Sequence, residues 1–117
     1  MRRTVLIVDD HEAFRDSASA LLEAEGFAVV GQAADGRAAI AESARLRPQV
    51  VLLDIRLPDL DGFAVAERLT TLPDPPRVVL ISSRDAAAYG PRIPASPATG
   101  FITKRDLTGR ALAALVD

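Results

Sequence analysis

Five short apolar runs, each followed by a stretch with helical periodicity or by a turn into one, constrain this chain more than any other feature. Thr4-Val5-Leu6-Ile7-Val8 stops at Asp9-Asp10, and Phe27 to Ala33 follows. Val50-Val51-Leu52-Leu53 stops at Asp54, Val78-Val79-Leu80-Ile81 at Ser82, and Gly100-Phe101-Ile102-Thr103 precedes Lys104. A half-buried strand alternates apolar and polar residues, so runs without alternation belong to strands covered on both faces. Between them lie helical stretches. Ala13 to Glu25 carries Ala18, Leu21 and Leu22 on one face with Gly26 as its stop, and Asp35-Gly36 opens a helix to about Leu46. Phe63 to Thr71 turns Phe63, Ala66 and Leu69 inward, and Leu107 to Val116 forms the last helix. Strands joined by helical crossovers of fixed hand give a doubly wound α/β domain with a parallel sheet.

At 117 residues the chain can bury about two-thirds of its unfolded surface, so one domain over 1–117 needs no disulfide or metal staple. The absence of cysteine excludes disulfide scaffolds, thiolate zinc sites and cysteine nucleophiles. A net charge of −2 with dispersed basic residues argues against direct nucleic-acid binding by this chain. No apolar run approaches the length of a membrane span, and Met1-Arg2-Arg3 leads into a strand rather than a signal peptide, so a cytoplasmic domain with no membrane contact is expected. Thirteen arginines stand against a single lysine, Lys104, which marks that lysine for attention.

In a doubly wound sheet, ligands collect at the carboxyl ends of the strands. Here those ends carry Asp9 and Asp10, Asp54, Ser82 and, after the last strand, Lys104. Three convergent carboxylates repel unless a cation neutralises them, and a hard divalent ion such as magnesium suits oxygen ligands and water. A lysine and a hydroxyl beside such an ion are donors to a second anion, most simply a phosphoryl group. The pattern therefore reads as phosphoryl transfer to a carboxylate. Asp54, at the end of the most apolar strand, is the expected nucleophile; the adjacent Asp9 and Asp10, pointing to opposite sides of the strand, suit an ion and its water.

The segments Val8-Asp9-Asp10-His11-Glu12, Leu53-Asp54-Ile55-Arg56-Leu57-Pro58-Asp59-Leu60-Asp61-Gly62, Ile81-Ser82-Ser83 and Gly100-Phe101-Ile102-Thr103-Lys104 resemble the signature segments of the receiver domain of bacterial two-component response regulators. The likeness spans nearly the whole chain in the expected order. It implies a flavodoxin-like sheet of order 2-1-3-4-5, a magnesium cofactor and a sensor histidine kinase as partner, with self-association on phosphorylation a further implied property. It implies roles as well: Asp54 as phosphoacceptor, Asp10 and Asp54 as direct magnesium ligands, Asp9 acting through water, and the Arg56 backbone carbonyl as another ligand. Ser82 becomes the switch hydroxyl, Phe101 the aromatic that follows it inward, and Lys104 the charge partner. Such a domain is a phosphoacceptor that assists its own chemistry rather than an enzyme. The Asp-Asp-His-Glu opening and Val30-Gly31-Gln32-Ala33 resemble regulators with a LuxR-type helix-turn-helix output.

Particular residues speak against two other classes. A dinucleotide-binding domain needs Gly-x-Gly-x-x-Gly after the first strand, and Asp-Asp-His-Glu-Ala-Phe stands there. A hydrolase of the dehalogenase type needs an acid two residues after the nucleophile, where this chain has Arg56. A stand-alone or degenerate receiver acting by protein contact without phosphorylation remains the alternative. A chain ending at Asp117 is expected to be either such a stand-alone domain or the amino-terminal part of a DNA-binding regulator. His11 reads as an exposed residue at a helix start, Gly62 as structural, and Asp59 and Asp61 as loop and capping groups. Ser83 and Arg84 border the site and are expected to modulate dephosphorylation.

Two departures from the family pattern stand out. Arg105 follows Lys104 where proline with a cis bond is frequent, which leaves the geometry there open. The interval from Arg84 to Pro97 contains Gly90-Pro91, Pro94 and Pro97, so the fourth helix should be shortened or irregular. The sequence predicts a turn or two from about Asp85, acting as a cap, to Tyr89, then irregular and comparatively mobile chain up to Ala98. It further suggests that this segment reorders when Ser82 moves.

Overall fold

A computed structural model describes residues 2–117. Five strands, β1 (Thr4–Val8), β2 (Ala28–Ala33), β3 (Val50–Asp54), β4 (Arg77–Ser82) and β5 (Gly100–Thr103), form one parallel sheet of order β2-β1-β3-β4-β5. Helices α1 (Glu12–Ala24), α2 (Gly36–Leu46), α3 (Gly62–Leu69) and α4 (Arg92–Ala95) lie in the four connections, and α5 (Gly109–Val116) follows the last strand. This is the flavodoxin-like doubly wound architecture the sequence implies. Among the described residues no helix is long and apolar enough to cross a membrane.

Alternation along the buried strands divides the core in two. Val5, Ile7, Val50, Leu52, Val79, Ile81 and Ile102 face α1 and α5, packing on Leu22, Leu112 and Val116. Leu6, Val8, Val51, Leu53 and Leu80 face α2 and α3, packing on Ala39, Val65, Ala66 and Leu69. The residue just beyond each strand inherits a face by the same period of two. The carboxyl ends are also level, with Val8 opposite Leu53, Asp54 opposite Ile81 and Ser82 opposite Thr103.

The edges of the elements follow local chemistry. Gly26 takes φ +102° to end α1, a conformation open to glycine. The Asp35 carboxylate accepts the Ala38 N–H to cap α2, and the Thr108 hydroxyl accepts the Ala111 N–H to cap α5. That cap starts α5 at Gly109 rather than at Leu107, because Lys104–Asp106 first makes a single 3₁₀ turn. Asp61 caps α3 by accepting the Phe63 N–H at 2.7 Å. Asp59 caps α2 from a distance, accepting from the Gly36 and Arg37 N–H groups at 2.7 and 3.0 Å. Both acids thus act as the loop and capping groups expected of them.

The interval after β4 corrects the sequence reading in part. A 3₁₀ turn spans Ala86–Ala88, as expected, but the chain then re-enters a helical turn, α4, over Arg92–Ala95 with Pro94 inside it. Pro94 is the third residue of that helix, where no intrahelical donor is required, so the missing N–H costs nothing there. Asp85 makes no side-chain cap; its carboxylate instead accepts from Arg105 at 2.6 Å. The fourth helix is nonetheless short, as the proline spacing requires.

Candidate functional site

The loop after β3 is built to hold Asp54 still. It folds back so that Arg56 pairs with Asp61 in an antiparallel bridge, and the Gly62 N–H donates to the Ile55 carbonyl at 2.8 Å. A Cβ on Gly62 would lie 2.5 Å from the Asp54 carbonyl oxygen and 2.6 Å from Ile55 Cα. Both obstacles are backbone, so only glycine lets α3 start this close to the strand end. The Arg56 N–H donates to Asp54 Oδ1 at 3.1 Å, fixing the carboxylate from behind.

By strand parity Asp9, following Ile7, and Asp54, following Leu52, share the face of α1 and α5. Asp9 is fully buried and Asp54 is 4% exposed. Between them sits Lys104, its Nζ 2.5 Å from Asp9 Oδ2 and 3.3 Å from Asp54 Oδ2. The first contact is an ion pair without hydrogen-bond alignment. The ammonium also lies 4.7 Å from the centre of the Phe14 ring, which shields it from water. The peptide bond after Lys104 is trans, like every other among the described residues, so Arg105 leaves the lysine in register.

The two buried acids are driven apart. Burial is the largest influence on Asp54, outweighing the Arg56 N–H and Lys104, and with Asp9 nearby its pKa rises to about 6. Burial also acts on Asp9, but the Lys104 contact and the His11 N–H prevail, and its pKa falls below the ordinary value. Lys104 loses to burial and gains more from the two carboxylates, so it stays protonated with a raised pKa.

Asp10 projects the other way, its side chain 37% exposed. The His11 Nδ1 stands 3.2 Å from Asp9 Oδ1 and 3.0 Å from Asp10 Oδ1, so these three residues form a group able to hold a metal ion. His11 is exposed at the start of α1, as expected, but its approach to both acids was not legible in the sequence. Among the described residues the Arg56 carbonyl accepts no hydrogen bond. The carboxylate oxygens of Asp9 and Asp10 suit a small hard divalent cation; Asp54 is not part of that group.

Ser82 and Phe101 lie on the opposite face of the sheet. The Ser82 side chain is buried, its Oγ accepting the Arg84 N–H at 3.1 Å and lying 2.5 Å from the Tyr89 hydroxyl. Tyr89 was missed as a site residue, because nothing in the spacing from Ser82 signals the contact. Its ring lies between Phe63 and Phe101, with centroids at 6.0 and 6.3 Å. A cleft of about 290 Å³ opens alongside, where Arg56, Arg84 and Arg92 outnumber one carboxylate, Asp61.

Fold and strand-end acids together define a doubly wound parallel α/β domain with an acid-and-lysine cluster at its topological switch point. Residues 5–116 match the response regulator receiver domain, and the chain belongs to that family, found in two-component transcription regulators. It is 36% identical over 114 residues to the protein named "Probable transcriptional regulatory protein NarL" of Mycobacterium tuberculosis, covering 97% of this chain and 53% of that protein. The solved signal receiver domain of that NarL superposes with a TM-score of 0.84 at 33% identity, covering 97% of this chain and 96% of the other. A protein-glutamate methylesterase/protein-glutamine glutaminase of Anaeromyxobacter dehalogenans is 47% identical over 90 residues, 74% of this chain and 25% of that protein. A chain in the crystal structure of the CheX-CheY-BeF3-Mg+2 complex from Borrelia burgdorferi gives a TM-score of 0.83 at 27% identity, covering 97% of this chain and 86% of the other. The chain spans about half the length of the transcription regulators it matches, and only the receiver part of the methylesterase.

Proposed function

We propose that this receiver domain accepts a phosphoryl group on Asp54 from a sensor histidine kinase and passes the signal to an output elsewhere in a longer regulator. The observation that carries the reading is the single lysine held between Asp9 and Asp54 at level strand ends. Asp54 is fixed by the Arg56 N–H and leaves its other oxygen toward Lys104. In the reaction an Asp54 oxygen attacks phosphorus and the bond to the donor nitrogen breaks, its electron pair leaving with the imidazole. Lys104 stays charged and faces the transferred oxygens, while Ser82 donates its hydroxyl to them.

Asp10, Asp54 and the Arg56 carbonyl would hold magnesium directly, with Asp9 acting through water. Magnesium, when bound, supplies the positive charge that lets a phosphoryl group approach three carboxylates. The arginine-rich cleft gives an anionic donor a favourable approach. The domain acts as a phosphoacceptor rather than as an enzyme on other molecules, in the cytoplasm, and the likeness to transcription regulators supports a DNA-binding output. Phosphorylation-driven self-association belongs to the same proposal.

Incubation with acetyl phosphate and magnesium, followed by intact-mass measurement, tests this. One phosphoryl group is expected per chain, lost on adding EDTA first and absent from Asp54→Asn. Undiminished labelling of that variant would overturn the assignment of Asp54. No labelling of the natural chain would favour a receiver that works by contact alone.

A further inference from the structure

We propose that Tyr89 is a positioning residue that holds Ser82 in its resting orientation, and that phosphorylation transfers the Ser82 hydrogen bond from Tyr89 to the phosphoryl oxygens. The inference rests on Asp54 being the phosphoacceptor. Ser82 follows Leu80 on the face of α2 and α3, whereas Asp54 follows Leu52 on the face of α1 and α5. In this state Ser82 has no hydrogen bond to Asp54 or Lys104; its oxygen is committed to the Arg84 N–H and to Tyr89. A hydroxyl has one proton and two lone pairs. Asp54 lies on the other face of the sheet from the ring, so turning toward it carries the Ser82 oxygen away from Tyr89 and breaks the 2.5 Å contact.

The partner on β5, Phe101, has no hydroxyl, so Tyr89 alone among the neighbouring rings can bond Ser82. Tyr89 is also tied to the segment beyond it. Its N–H donates to the Ala86 carbonyl at 3.0 Å and its carbonyl accepts the Arg92 N–H at 3.2 Å. Arg92 then donates to Asp61 at 2.6 Å and lies over the Phe63 ring at 4.3 Å. Release of the phenol from Ser82 thus frees the one ring that joins β4 to α4, and the signal leaves through Arg92–Ala95.

The chain has one tyrosine and no tryptophan, so its near-ultraviolet absorption and emission report the Tyr89 phenol without interference from indole or a second phenol. The natural protein is titrated with beryllofluoride in the presence of magnesium, and adduct formation is followed separately by fluorine NMR. A shift of the tyrosine band with the same midpoint as the bound fluorine signal is expected. Tyr89→Phe removes the resting bond, so beryllofluoride should bind roughly threefold to tenfold more tightly, the factor one ordinary hydrogen bond supplies. A side chain of purely structural importance would weaken binding instead. A fluorine adduct with an unchanged tyrosine spectrum would refute the latch while leaving Asp54 as phosphoacceptor, as would binding to Tyr89→Phe no tighter than to the natural chain. Absence of any adduct would sink both.

Discussion

Replacing Asp54 by asparagine should stabilise the magnesium-free domain at neutral pH, although Asp54 sits at the centre of the site. Asparagine keeps the shape and can still accept the Arg56 N–H. The carboxyl has a folded pKa of about 6 against an ordinary 3.8, with burial the main cause. The folded state therefore takes up this proton first, and the contribution of Asp54 to stability falls as pH rises from about 4 to above 6. Fully ionised, the group costs the fold roughly 3 kcal/mol, from about 1.4 kcal/mol per tenfold difference in proton affinity. Asparagine carries no such cost. For a domain of this size that corresponds to a melting temperature higher by about 10 °C. Thermal unfolding followed by circular dichroism at pH 7.5 with EDTA measures it. By the same linkage the advantage should shrink to about half at pH 5. Magnesium should narrow it at pH 7.5 by binding the ionised natural site more tightly than the variant. A variant melting at or below the natural protein at pH 7.5, or an advantage independent of pH, would refute the account of a carboxylate strained by burial.

Two further predictions rest on the same cluster. Lys104→Met leaves Asp9 and Asp54 buried without their cation, and should cost about 3 kcal/mol in urea unfolding at pH 7.5, partly restored by magnesium; a loss below about 1 kcal/mol would mean that other groups neutralise the pair. Gly62→Ala drives a methyl group into the Asp54 and Ile55 backbone, so the urea midpoint should fall by the equivalent of about 1–3 kcal/mol and acetyl phosphate labelling should slow as the strand end shifts; unchanged stability and labelling would show that the loop can yield.

Much of this architecture was legible residue by residue. Val50–Asp54 and Gly100–Thr103 form the strands read from their unbroken apolar runs, because a strand buried on both faces has no other way to be written. The arrival of Asp9, Asp54 and Lys104 at one edge followed from the same reading, since parallel strands place their carboxyl ends together. Pro94 misled, because the cost of proline depends on its place within a helix, and that place is set by where α4 begins. The pairing of Asp85 with Arg105 and the contact of Tyr89 with Ser82 lay beyond sequence reasoning. Local pattern determined the strands, the helices and which acids would meet, because these depend on periodicity and on the hand of the crossovers. Tertiary packing alone decided how closely His11 approaches Asp9 and Asp10 and which ring holds Ser82. Those depend on distances of a few ångströms between side chains far apart along the chain, which no local periodicity encodes.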